Sequence, residues 1–226
     1  MSFLYLDIET IPTQAAKARE NIAKNILPPG NISKPETIAA WVKEKKSAAV
    51  DEAIAKTALD GALGHICCIG WAFDGQPTSS VTLDTEQSEA DIIEAFFERA
   101  DATIRGQITP VTIVGHYVIG FDLPFIWQRS ICLGIRVPSW LPRQPRPWGD
   151  FVFDTMNAWA GYRGSISMDR LCEALGIDGK GEIDGSMIGR LWAEGRYSEI
   201  SEYCEGDVER TRAIHQRMMV AYGDAA

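Results

Sequence analysis

An α/β fold, in which a mixed β-sheet is flanked by helices and a helical insertion follows the first strand, is what this 226-residue sequence predicts. Three observations carry that expectation. Apolar runs of strand length recur at 2–8, 65–73, 79–83 and 110–115. Segments of helical period lie between and after them, and from 154 onward the pattern is helical throughout. Apolar residues make up 46% of the chain, enough to fill a real core.

The elements follow in order. Residues 2–8 read as the first strand, carrying the apolar run Phe3 to Leu6 into Asp7. The stretch 13–62 is polar and helical, broken by Pro28-Pro29-Gly30. Within it, Ser33-Lys34-Pro35-Glu36 has the spacing of a capping box, with proline near the first turn. Residues 65–73 (HICCIGWAF) form a second strand closed by the Asp74-Gly75 turn, and 79–83 pairs with it as a hairpin. A helix over 86–101 turns Ile92, Ile93, Phe96 and Phe97 inward. A short buried strand at 110–115 leads to a helix over 122–133 and then a proline-rich loop to 149. Helices are expected over 154–161, 168–175, 184–194 and 197–221. With no repeat, heptad or low-complexity tract, 1–226 is expected to be a single domain.

Charge and cysteine usage narrow the classes. With 22 Lys and Arg against 31 Asp and Glu, the net charge is −9, which argues against a protein that coats nucleic acid by bulk electrostatics. It leaves room for local grip on one strand end, or for acids that hold cations. The five cysteines show no Cys-x-x-Cys pair and no Cys/His cluster of zinc spacing, so buried, reduced thiols and a cytoplasmic location are expected. No apolar run approaches the roughly 20 residues of a membrane span, and the stretch before Asp7 is too short and uncharged for a signal peptide.

Three short segments carry candidate chemistry. In YLDIETIP (5–12), strand alternation projects Asp7 and Glu9 to one side. In VGHYVIGFDLPFI (114–126), Asp122 opens a helix just past a buried strand, where catalytic groups of α/β proteins collect. In EYCEGDVERT (202–211), Tyr203 and Asp207 lie four apart on one helix face, while Glu202, Glu205 and Glu209 fall on its solvated parts. Each alone has an ordinary structural explanation: a strand-end acid, a helix cap, a tyrosine beside an exposed acid.

Taken together, in order, the Asp-x-Glu, Phe-Asp and Tyr-x-x-x-Asp segments resemble the motifs of the DEDD superfamily of 3′–5′ exonucleases, in its tyrosine (DEDDy) branch. LDIETIP, GFDLPFI, SMDRLCEALGIDGKGEIDGSMI and EGRYSEISEYCEGDVERT look like the predicted exonucleases related to the proofreading domain of family-B DNA polymerases. The resemblance spans nearly the whole chain, least clearly 13–62, and implies a ribonuclease H-like fold. One departure stands out. That group usually has Asn five residues before the second-motif Asp, and here Tyr117 follows His116 at that place.

Four clustered carboxylates repel one another unless a cation intervenes, and oxygen-only ligation selects Mg²⁺ or Mn²⁺ over zinc. Two such ions suit an in-line phosphodiester displacement. The resemblance implies that Asp7 bridges both ions, that Glu9 and Asp207 hold the one that activates water, and that Asp122 supports the other. It implies that Tyr203 orients the water and that each cleavage releases a nucleoside 5′-monophosphate from a single-stranded DNA or RNA 3′ end, DNA favoured. Phe121, His116 and Tyr117 are candidate substrate contacts at the second motif. The acid-free stretch 123–149, with Arg129, Arg136, Arg143, Arg146, Trp127, Trp140 and Trp148, suits phosphates and stacked bases, or else is a proline-stiffened loop over a satellite core. Lys180 could reach a phosphate or simply belong to a turn. Asp154 is read as a helix start, with a fifth carboxylate of the site as the alternative, His65 as a strand end and His215 as helix surface. Two other readings stay open: a catalytically silent nucleic-acid-binding module, and an exonuclease of RNA or short oligonucleotides.

Overall fold

A computed structural model of the chain describes residues 2–146, 149, 151–161, 163–179 and 181–223. Its strands are β1 (Ser2–Ile11), β2 (His65–Phe73), β3 (Ser79–Thr82), β4 (Val111–Gly115) and β5 (Val152–Asp154), in the sheet order β3-β2-β1-β4-β5. β1 runs antiparallel to β2 and parallel to β4, which is parallel to β5, so the sheet is mixed as expected. The expected β2–β3 hairpin is present, with Cys68 opposite Thr82 and Trp71 opposite Ser79.

Around the sheet lie α1 (Ala16–Asn25), α2 (Pro35–Glu44), α3 (Lys46–Lys56), α4 (Glu89–Ile104), α5 (Asp122–Leu133), α6 (Thr155–Ala160), α7 (Met168–Leu175), α8 (Ile188–Ala193) and α9 (Tyr197–Tyr222). Alternation along β1 gives the sheet two packed faces. Leu4, Leu6 and Ile8 join Ile93, Phe96, Leu123 and Phe125 on the side of α4 and α5. Tyr5 joins Ala72, Val114 and Val208, with Phe3 and Phe153 beside them, on the side of α9. Each such side chain fully removed from water contributes about 1.5–3 kcal/mol. No helix among the described residues is long and apolar enough to cross a membrane.

Several local expectations change. β1 continues to Ile11, because β2 runs beside it as far as the Ile11–His65 pair, with an irregularity between Glu9 and Thr10. Asp7 and Glu9 therefore lie within the strand rather than at its end. β5 was not foreseen, and its three residues are too short to show a period. Lys34, not Ser33, caps α2, and no side-chain cap bond forms there; among the described residues a capping box pairs Ser88 with Asp91 at the start of α4. All five cysteines are free thiols, but Cys132 is exposed.

Two charged or polar residues play structural parts that the sequence did not suggest. Arg129, expected to contact substrate, is buried: its Nε and Nη2 each donate to Glu89 at 2.8 Å, and Nη1 donates to the Gly61 carbonyl at 3.1 Å. Burial opposes the Glu89 charge, yet donors from His65, Arg129 and the Ile66 amide hold its carboxyl below the usual range. The guanidinium thus ties α5 to α4 and to the turn before β2. His215 is not on the helix surface. It is buried at the α9–sheet interface, 3.1 Å from the Tyr5 hydroxyl and edge-on to Phe3 and Phe153.

Candidate functional site

Strand alternation puts Asp7 and Glu9 on the face of β1 that already carries Phe3 and Tyr5, beneath α9. Opposite Asp7 in register is Gly70. A Cβ at that position would stand 2.8 Å from Cys204 Sγ and 3.2 Å from Val208 Cγ2, so only glycine lets α9 descend to the level of Asp7. The result is direct contact. Cys204 Sγ lies 3.6 Å from both the Asp7 carbonyl and its Oδ2. Ligand atoms of Asp7, Glu9 and Cys204 all lie within 4.8 Å of one another. Burial, with the nearby Cys68 thiol and the Asp7 and Glu9 carboxylates, pushes the Cys204 thiol well above its ordinary range, so it stands as a protonated donor.

On the other side of β1 the parallel neighbour runs out. The last residues in register are Tyr5 and Val114, and β4 ends at Gly115. A β1 amide beyond that point needs a new acceptor. Asp122, the first residue of α5, supplies it: the Ile8 amide donates to Asp122 Oδ1 at 3.1 Å. Burial raises the Asp122 carboxyl to about 7, with the negative charges of Asp154 and Asp207 adding and the amide bonds opposing.

Asp154 ends β5 and caps α6, as its reading as a helix start implied. It accepts from the amides of Met156 at 3.0 Å and Asn157 at 3.1 Å, and also from Tyr117 at 3.2 Å and Ile119 at 3.0 Å. One carboxylate thus fixes the turn that leads into Asp122.

From α9 come Tyr203 and Asp207, both buried and four residues apart. Arg210 Nη1 donates to Asp207 Oδ1 at 2.7 Å. Glu202 and Glu209 are exposed, while Glu205 is half-buried and accepts from Ser80. The four expected acids and the tyrosine stand on three elements, β1, α5 and α9: Asp7 and Glu9 cluster with Cys204 of α9, and Asp122 of α5 feels the charge of Asp207. Their donors are hard carboxylate oxygens, and a divalent cation would offset both the burial that chiefly raises Asp122 and the added charges of Asp154 and Asp207. Such a donor set fits Mg²⁺ or Mn²⁺ better than a thiolate-seeking metal.

The expected substrate contacts fare differently. His116 is committed to the fold rather than offered at the rim: its Nδ1 is 2.9 Å from Thr155 Oγ1 and its Nε2 is 3.0 Å from the Ile166 carbonyl. Phe121 is half-buried and packs its ring 5.4 Å from that of Phe125. Tyr117 is exposed at the turn before α5. Arg136, Arg143 and Arg146 are exposed, but the last two belong to a loop that packs on the starts of β4 and β5, where Pro142 and Arg146 line cavities with Val111, Phe151 and Val152. The acids gather beyond the opposite ends of those parallel strands. Trp127 Nε1, from α5, donates to the Pro142 carbonyl of this loop, and Trp140 sits edge-on to Phe96 and Phe97, which makes the segment a satellite of the core. Trp148 and Lys180 lie outside the described residues. Cys204 and Arg210 were missed, although Arg210 follows Asp207 by three residues, a spacing that pairs opposite charges on a helix.

Comparison with known proteins adds two findings. The sequence family described as predicted 3′–5′ exonucleases related to the exonuclease domain of PolB matches residues 62–225. Among solved structures, the family B DNA polymerase of the hyperthermophilic archaeon Pyrobaculum calidifontis is similar, with a TM-score of 0.58 at 14% identity over 97% of this chain. The chain spans 24% of that polymerase, and the likeness is one of fold, a ribonuclease H-like α/β sheet. No curated protein sequence matches.

Proposed function

Since the chain belongs to the family of predicted 3′–5′ exonucleases related to the exonuclease domain of PolB, we propose that it is a metal-dependent 3′–5′ exonuclease of single-stranded nucleic-acid ends. DNA is the favoured substrate and nucleoside 5′-monophosphates are the products. The observation that supports this reading is that Asp7 and Glu9 share one cluster under α9 while Asp122, bonded to the Ile8 amide next to Asp7, feels the charge of Asp207 from α9. A binding module has no use for four acids at one point, where each discourages the ionisation of the next.

In this reading Asp7, Glu9, Asp122 and Asp207 hold two Mg²⁺ or Mn²⁺ ions. When bound, such a pair stabilises the attacking and leaving oxygens of an in-line displacement at phosphorus. The protein residues do the rest. Asp122 is fixed through its bond from the Ile8 amide, and the turn before it is fixed by Asp154. Arg210 restrains the Asp207 carboxylate. The Tyr203 hydroxyl orients the attacking water. The whole chain acts as a single domain in a reducing cytoplasm, with 13–62 as an insertion into it.

The test uses single-stranded DNA labelled at either end, with Mg²⁺, Mn²⁺ or EDTA, for wild type and Asp7→Ala. Metal-dependent release of the 3′ label as a mononucleotide, absent in Asp7→Ala, is expected. Absence of cleavage of DNA and RNA with both metals would overturn the proposal.

A further inference from the structure

Tyr117 adopts a conformation that side chains rarely accept. Its φ is 66°, and among the described residues only Arg163 shares a positive φ without being glycine. Left-handed backbone brings a Cβ against the chain, so it persists where surrounding bonds enforce it, and such positions concentrate at functional sites. Here the bonds are evident. The Tyr117 amide donates to Asp154 Oδ1 at 3.2 Å, and its carbonyl accepts from Gly120 at 3.0 Å and Phe121 at 2.9 Å.

The ring has a seat as well. A Cβ on Gly120 would fall 2.1 Å from Tyr117 Cε2 and 2.4 Å from Cζ, so the ring lies directly against the glycine backbone. Yet 47% of the residue stays open to solvent. A large aromatic group left this exposed would ordinarily be free to move. This one is backed by a glycine, anchored at both its amide and its carbonyl, and bonded to the residue immediately before Asp122.

We propose that Tyr117 is a stacking platform for an unpaired base of the strand whose end lies at the carboxylate cluster, an inference that rests on the exonuclease reading. A fixed aromatic face accepts any base, because every base has a π-face, and it gives up little conformational freedom on binding. It suits single-stranded ends and disfavours paired ones, whose bases are already stacked.

The experiment measures anisotropy of a 5′-fluorescein oligothymidylate with phosphorothioate linkages, which slow hydrolysis. One version is intact and the other lacks its last two 3′ bases. Wild type and Tyr117→Phe should bind the intact strand about tenfold more tightly than the abasic one. Tyr117→Gly, which suits the left-handed backbone, and Tyr117→Asn should bind both strands alike, at the weaker affinity. Retention of the tenfold preference by Tyr117→Gly, or its absence in wild type, overturns the proposal. Cleavage of ordinary oligothymidylate is scored separately. A Tyr117-dependent preference without cleavage supports the platform while removing the hydrolytic reading, and cleavage without the preference removes the platform alone.

Discussion

Asp122 serves two ends that conflict. Its carboxylate closes the β1 ladder where β4 stops, and it does so buried among other acids. Its folded pKa of about 7 stands above the usual 3.9 for an aspartate, so the unfolded chain ionises first and metal-free stability falls as pH rises from about 4 to about 7. Asp122→Asn keeps an acceptor for the Ile8 amide and removes the charge. At pH 8 without metal it should be more stable than wild type, by on the order of 4 kcal/mol in urea titrations, while losing hydrolysis and Mg²⁺-induced stabilisation. His215 shows the reverse dependence. Burial, opposed by the Asp74 charge, lowers it to about 4, and its Nε2 has no hydrogen-bond partner among the described residues. Between pH 6.5 and 4 the unfolded chain binds a proton that the folded chain refuses, so this contribution is complete above 6.5 and lost on acidification. Relative to His215→Phe, wild type should lose on the order of 2 kcal/mol more between pH 7 and pH 4.

At the scale of elements, the Glu89–Arg129 pair decides how α4 and α5 meet. Arg129→Met leaves Glu89 buried without its cation, which costs about 3 kcal/mol. Denaturant titration should show that loss, and affinity for single strands should be unchanged in the folded fraction. The same pair marks where sequence reading stops. The hairpin, α5 and α7 were legible because a turn or a helical period announces each locally. Asp7 with Glu9, and Tyr203 with Asp207, were legible because spacings of two and four fix a shared face. Arg129 was misjudged because Glu89 lies 40 positions away, and nothing local says which charges will pair. The length of β1 was hidden by the acids themselves: Asp7, Glu9 and Thr10 break the apolar run that would have announced a strand to Ile11. That Asp122 would meet Ile8 depends on β4 ending early, which no window of sequence contains.

Over the whole molecule, stability is uneven. The helices α1, α2 and α3 bury no residue, whereas the sheet is covered on both faces. Segments with little buried apolar contact open first. Brief trypsin treatment of the native protein should therefore cut first between Lys17 and Lys56, leaving 65–223 intact; early cuts in α4 or α9 would contradict this. The contact of Cys204 with Asp7 also has a consequence in time, because it joins residues 197 positions apart. Asp207 follows Asp7 by 200 residues. At about 5–20 residues per second, a ribosome needs about 10–40 s to pass from one to the other. Until then the first acids exist without the last. A half-made chain holds Asp7 and Glu9 without Asp207, and the order of the sequence works as a delay.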